Sequence, residues 1–166
     1  MRELYELPEL VAAFLRECGV AARAAFCGEP WRAEQEAVVA VSLGRLQVEQ
    51  MGLGDYLGLR FDLDSGREME IYARKAKVQL TLEAFAGKDL GEEALREACR
   101  RIEAAVRSVR MFGFSVLSLE QGTAEFYEKL ELFGCKVLLE LEGRLEGALD
   151  TESGAFSGFM IVASVS

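Results

Sequence analysis

The sequence predicts an α+β fold: a mostly antiparallel, twisted sheet with a long projecting hairpin, packed against one principal amphipathic helix plus an N-terminal helix. Two patterns carry this prediction. Residues 76–86 alternate apolar and polar positions with a period of two, as a strand does when one face is packed and the other is wet. Residues 89–109 repeat apolar positions at spacings of three and four, the period of a helix that packs on one side. Strands on both sides of that helix are typical of an α+β domain.

Size and composition predict one globular domain. The chain is long enough to bury its own core, so we expect a single domain over residues 1–166. No apolar run reaches the roughly 18 residues that a membrane-spanning helix needs. The charged N-terminus, MRELYELPELV, does not resemble a signal peptide or an anchor, so we expect a cytoplasmic protein with no membrane partner.

The first third of the chain predicts a helix and a buried strand. Residues 7–18 carry one apolar stripe that ends before Gly19, as in a short amphipathic helix. Residues 20–36 are ambiguous, and residues 22–26 within them could form a short strand. Residues 36–50 are apolar on both faces at first and polar later, which predicts a strand that leaves the core towards its end.

Residues 55–86 predict the hairpin. They read DYLGLRFDLDSGREMEIYARKAKVQLTLEAFA, two extended segments around an Asp-Ser-Gly turn. A strand over residues 69–85 would span more than about 50 Å, whereas a compact domain of this size is about 35–40 Å across. Part of the hairpin must therefore project, bend, or pair with something outside the domain.

The last third predicts three further strands. Residues 114–119 form the first, and residues 133–144 alternate again over a long stretch, with Leu138 as an apolar exception on the wet face. A turn at residues 150–154 precedes an apolar terminal strand over residues 155–165.

The residue types offer little for catalysis. The chain has no histidine, which removes the commonest general base and the commonest metal ligand. Gly52, Gly54 and Gly58 precede a strand and not a helix, unlike the glycines of a phosphate-binding loop. We therefore expect no enzymatic activity, no cofactor and no metal.

Two sets of acidic residues allow both a chemical and an ordinary interpretation. Asp62 and Asp64 begin like a calcium loop, but the closing glutamate is missing, and a hairpin turn explains both aspartates. Glu140, Glu142 and Glu146 share one strand face and could serve as an acid and a base. Solvated glutamates on the wet face of a sheet are the commoner case.

The cysteines and the net charge argue against metal and nucleic-acid partners. The four cysteines lack metal-ligand spacing and lie among apolar residues, which predicts buried, reduced thiols: Cys18, Cys27, Cys99 and Cys135. The net charge of −9 and the small basic clusters disfavour specific binding to nucleic acid.

Two stretches of the sequence resemble a known family. Tyr56-Leu57-Gly58 enters the hairpin, Glu70 and Tyr72 follow its turn, and FYEKLELFGCKVLLELEG occupies residues 126–143. With the order of helices and strands, this pattern resembles the tail terminator (tail completion) proteins of long-tailed phages and prophages. One departure is the pair Ala73-Arg74, where the family pattern has Gly-Lys.

The resemblance implies a structural role. Such a protein forms a ring, usually of six copies, that caps the finished tail tube, stops its polymerisation and provides the junction to the head or neck. Headless phage-tail-like bacteriocins use a similar cap. The implied partners are other copies of the chain, the tail tube protein, and a neck, head-connector, sheath or collar protein. The implied location is the bacterial cytoplasm during assembly and then the finished particle.

The candidate subunit interface is the hairpin, because its reach fits it to contact a neighbouring chain in a ring. The candidate residues are Tyr56, Leu57, Gly58, Arg60, Asp62, Asp64, Arg67, Glu70 and Tyr72. Two alternatives stay open at this point. The chain could be another morphogenesis component, such as a tube subunit or a head-completion or neck protein, or a small ligand-binding or enzymatic domain.

Overall fold

A computed structural model describes residues 3–25, 33, 35–107 and 113–162 of the chain. Leu4–Glu6 forms a 3-10 turn, and the helices are α1 (Leu7–Glu17) and α2 (Gly91–Arg107). The strands are β1 (Ala21–Ala24), β2 (Val38–Gln50), β3 (Tyr56–Asp62), β4 (Arg67–Gly87), β5 (Phe114–Gln121), β6 (Glu125–Tyr127), β7 (Leu132–Asp150) and β8 (Met160–Ile161). The predicted α+β class is confirmed.

All eight strands of the described residues belong to one sheet, whose main order is β1-β2-β4-β7-β5. The pair β1–β2 is parallel, and every other strand pair of the described residues is antiparallel. Strand β4 is central. Along one of its edges it pairs first with β3 and then with β2. Along its other edge it pairs with β7, from Met69–Asp150 to Gly87–Leu132. Strands β5, β6 and β8 share the far edge of β7.

Both helices cover the same face of this sheet, which we call the helix face. On β4 it carries the predicted apolar positions of residues 76–86, all of them buried. Strand β4 meets α2 there, and the buried residues of α2 recur at spacings of three and four, from Leu95 to Val106. The other face, which we call the open face, carries the polar positions of β4 and also Leu138, as predicted. No helix of the described residues is long and apolar enough to cross a membrane.

The hairpin extends beyond the helices. We call residues 56–72 the arm: β3, the turn at 63–66, and the part of β4 that pairs with β3. The 21 residues of β4 correspond to about 70 Å of extended chain, so the predicted excess of length over a compact domain is real. Towards the arm, the buried side chains of β4 lie on the open face and no longer on the helix face. Ile71 and Ala73, on the open face, are buried, whereas Tyr72 and Arg74, on the helix face, are only partly buried.

One predicted strand and one predicted cysteine environment are wrong in the described residues. The terminal strand shrinks to Met160–Ile161 and one isolated bridge, Leu149–Phe156, because Gly158 has a φ of 81° and interrupts the extended chain. Cys18 is exposed, since it lies just past the last turn of α1, whereas Cys99 and Cys135 are buried as predicted. Cys27 and the ends of three predicted elements, residues 26, 108–109 and 163–165, lie outside the described residues.

Candidate assembly interface

Strand β3 is an edge strand at the far end of the sheet. It continues the line of β2, which ends where Gln50 pairs with Arg74, and it pairs with β4 through the register from Tyr56–Tyr72 to Asp62–Arg67. No strand of the described residues pairs with its other edge. That edge therefore presents backbone N–H and C=O groups that another chain could pair with.

The edge is unusually apolar. Leu53 and Leu63, on either side of β3, are 98% and 88% exposed. Four large side chains of the strand itself are also exposed: Tyr56, Leu57, Leu59 and Phe61. Natural sheets protect their edges with charged residues or short strands, so six exposed apolar side chains within eleven residues are typical of a surface that meets a partner.

Asp62 organises the turn of the arm. Its carboxylate accepts hydrogen bonds from the Ser65 hydroxyl at 2.6 Å and from the backbone N–H groups of Asp64 and Ser65 at 3.3 Å. The bond from the Ser65 hydroxyl is the main cause that lowers the pKa of Asp62. Asp62 is thus explained by turn chemistry, and Asp64 contributes its backbone N–H while its side chain is exposed.

The return strand of the arm is fixed to β7. The Arg67 guanidinium lies 2.8 Å from an Asp150 carboxylate oxygen and 3.5 Å from a Glu152 oxygen. The Asp150 carboxylate also accepts the backbone N–H groups of Glu152 and Ser153. These bonds, that of Glu152 first and that of Arg67 next, lower the pKa of Asp150 to about 2.

Glu70 and Tyr72 link the arm to an aromatic cluster. The Tyr72 hydroxyl donates to Glu70 Oε2 at 2.7 Å. The Tyr72 ring stands edge-on to Tyr56 and to Phe156, at centroid distances of 5.7 and 6.2 Å. Both predicted residues therefore stabilise the arm within the chain, and Tyr56 presents its remaining surface outwards.

A joint at residues 51–55 connects β2 to the arm. Asp55 has a φ of 63° and is only 4% exposed. Its carboxylate accepts Arg74 Nε at 2.8 Å and the Met51 N–H at 3.0 Å, and its backbone C=O accepts the Ala73 N–H at 2.7 Å. The Arg74 bond is the main cause that lowers the pKa of Asp55. Ala73 and Arg74, which depart from the family pattern, therefore anchor the base of the arm.

The interpretation of the three glutamates as solvated side chains is wrong for Glu146, which is only 7% exposed. Its Oε2 lies 3.4 Å from Arg60 Nη2, and its Oε1 lies 2.7 Å from Arg144 Nη2 without hydrogen-bond geometry. A buried carboxylate needs such positive partners. Arg60 thus reaches from the edge strand over β4 to β7 and ties the three strands of the arm's base together.

The three glutamates do not converge on a cavity. Glu142 pairs with Lys75 at 2.9 Å, and Glu140 accepts the Ser118 hydroxyl at 3.1 Å. A shallow depression of about 90 Å³ beside Glu140 is lined mainly by polar side chains of β2, β4 and β7. Within the described part of the chain, no three His, Cys, Asp or Glu side chains gather closely enough to hold a metal ion.

The nine predicted interface residues all lie on the arm, but they divide into two roles. Asp62, Arg67, Glu70 and Tyr72 make bonds that hold the arm together, whereas Tyr56, Leu57 and Asp64 are exposed. Arg60 is exposed and also bonds Glu146. Gly58 is partly exposed and has a φ of 139°, with open space where a Cβ would stand.

Sequence reasoning missed the largest part of the apolar surface. The exposed residues that it omitted are Leu53, Leu59, Phe61 and Leu63. A signal was present, because apolar residues at every second position from 57 to 63 define one face of a strand. That signal does not say whether the face meets the protein's own core or a partner.

Among known proteins, similarity to this chain is found in solved structures. No family model matches the chain, and no curated protein matches it. A solved structure, the sheath/tube terminator of the extracellular contractile injection system PVC in its extended state, is similar at a TM-score of 0.48 and 15% sequence identity. The match covers 100% of this chain and 62% of that one, so this chain spans less than two thirds of the length of its neighbour. A likeness at this level assigns no residue to the interface.

Proposed function

We propose that this chain is a structural protein of a phage tail or a phage-tail-like particle. Its copies assemble into a ring, with six as the number that the family resemblance implies, and the ring caps the tail tube and stops its polymerisation. The observation that carries the proposal is the arm, a long hairpin with an unpaired, apolar edge strand. The resemblance of Tyr56-Leu57-Gly58, Glu70 and Tyr72 to tail terminators supports it.

The physical basis of assembly is burial of the arm's edge. Each fully buried leucine or phenylalanine side chain contributes about 1.5–3 kcal/mol, and the backbone groups of an edge strand gain partners when another strand pairs with them. The arm is rigid enough for this task, because Asp62, Arg67 and Asp55 hold its turn, its return strand and its base. Because the arm is already ordered in the single chain, association loses little conformational entropy there.

The role is non-enzymatic in this proposal. Glu142 and Glu146 lie beside the cations Lys75, Arg60 and Arg144, and Glu140 accepts a serine hydroxyl, so the glutamates are held as partners of neighbouring groups and not as a free acid and base. The ring's other faces would meet the tail tube protein on one side and a neck, head-connector, sheath or collar protein on the other.

Growth of tail tubes in the presence of the protein tests the cap. Tube subunits from the same particle are polymerised with the wild-type chain and with a variant in which residues 60–69 are replaced by Asn-Gly. Because Leu59 pairs with Glu70, this two-residue turn closes the shortened hairpin in the native register.

We expect the wild-type chain to shorten the tubes and to leave extra density at one tube end in electron micrographs, and the shortened variant to do neither. Tubes that grow to the same length with and without the wild-type chain, and carry no cap, would show that the protein is not a terminator.

A further inference from the structure

Two unpaired strand edges lie on opposite sides of the sheet. Strand β3 lies at one side and β5 at the other, and no strand of the described ranges pairs with the outer edge of either. Their lengths match closely, at 7 and 8 residues. Two different, complementary surfaces on one chain are what a head-to-tail ring requires.

We propose that β3 of one copy pairs with β5 of the next copy, so that the sheet continues from subunit to subunit. The occupant of the arm's edge is therefore a second copy of this chain. This inference rests on the proposed ring, whose contacts it specifies.

Strand direction supports this pairing. Strand β3 is antiparallel to β4, β4 to β7, and β7 to β5. Strands β3 and β5 therefore run in opposite directions across the sheet. In a cyclic ring all copies have the same orientation, so β3 meets the neighbour's β5 as an antiparallel pair with the helix faces on the same side. The junction would then continue the antiparallel pattern of the sheet.

The two faces of the junction also match. Leu59 and Phe61 lie on the helix face of β3, since they pair with Glu70 and Glu68. On β5 the helix face carries Val116 and Leu119, which pair with Leu141 and Leu139 and pack against the core. The junction thus places apolar side chains of both strands on one face, where they extend the hydrophobic core.

Charge is complementary on the open face. Arg60 is the cation of β3 on this face; its side chain contacts the buried Glu146 at 3.4 Å and is still 62% exposed. Asp62 beside it is turned towards Ser65. On β5 the open face carries Ser118 and the exposed Glu120. An antiparallel junction brings Arg60 and Glu120 to the same face, where an Arg–Glu pair across strands is favourable.

The edge of β5 shows an exposed leucine of its own. Leu117 sits at a bulge, opposite no residue of β7, and is exposed. Leu57 holds the equivalent place on β3, at the register shift between Tyr56 and Gly58. Each edge strand thus has one exposed leucine at a bulge, and association can cover it.

A mixing experiment with two edge variants tests the pairing. Variant A carries Leu59→Lys and Phe61→Lys, which block β3, and variant B carries Leu117→Lys and Gln121→Lys, which block β5. All four side chains are exposed, and lysines on an edge strand oppose strand addition. Leu130→Lys, at an exposed leucine in the turn between β6 and β7, is the matched control. Thermal unfolding checks that every variant is folded.

We expect A and B to be monomers by native mass spectrometry, and an equimolar mixture to form a dimer of one A and one B and nothing larger. Only the β3 of B and the β5 of A are intact in that pair, so it cannot grow. The Leu130→Lys control keeps the wild-type mass.

Other outcomes overturn specific steps. A dimer of B alone would show that β3 pairs with a second β3. A mixture that stays monomeric, beside a wild-type ring, would place the contact elsewhere. A ring of variant A would remove the arm from assembly, and a monomeric wild-type chain would contradict the proposed function itself.

Discussion

At the scale of single residues, the structure depends on carboxylates that organise backbone. Asp55 and Asp62 both use their oxygens to accept backbone N–H groups of neighbouring residues, and both have lowered pKa values. The sequence predicted the turn role of Asp62, because aspartate before Ser-Gly is a local signal. It did not predict Asp55, since its partner Arg74 is 19 residues away and becomes its neighbour only when β4 folds back.

Asp150 predicts a pH dependence of stability. Its pKa is lowered from 3.8 to about 2 in the folded chain, chiefly by the Glu152 N–H and by Arg67. Since the folded-state pKa lies below the unfolded-state value, the stabilisation is fully present above about pH 4 and is lost as the pH falls towards 2. Asp150→Asn should therefore lower the melting temperature at pH 6, and this deficit should shrink to zero between pH 4 and pH 2. A deficit that is constant across that range would contradict the role of the charge.

At the scale of elements, the sequence predicts which side chains share a face of a strand better than it predicts which part of the chain covers that face. The period of two fixed the helix face of β4 from Ala76 onwards because both alternating sets were long and uniform. It could not predict that burial passes to Ile71 and Ala73 on the other face, where Arg60 of β3 reaches Glu146 of β7. The exposed apolar side chains of β3 were missed because their exposure also depends on distant parts of the chain. Strand β2 ends before it could cover the outer edge of β3.

The contact between β5 and β7 gives a prediction at this scale. A Cβ on Gly143 would lie 2.6 Å from the Phe114 ring, and Phe114 is fully buried. Gly143→Ala should therefore lower the free energy of unfolding by about 1–3 kcal/mol, as overpacking does in a well-packed core. Ser115→Ala, at the neighbouring exposed position, should change it by less than about 0.5 kcal/mol. Urea unfolding measures both, and an unchanged Gly143→Ala variant would show that the ring moves freely.

At the scale of the whole molecule, length is the informative quantity. A single sheet is built on strands of 21 and 19 residues, β4 and β7, and the helices cover only part of it. The mismatch between strand length and domain size was visible in the sequence, and it predicted the arm correctly. The partner that the arm meets was not visible, because a strand edge carries the same backbone groups whichever chain covers them.

The mass of the purified assembly tests the central claim, that the arm joins copies of this chain into a ring. Native mass spectrometry compares the wild-type chain with the variant in which residues 60–69 are replaced by Asn-Gly. We expect the wild-type protein at one multiple of 18.3 kDa, six if the family resemblance holds, and the shortened variant as a folded monomer. A wild-type monomer, or the same multiple for both proteins, would contradict the account.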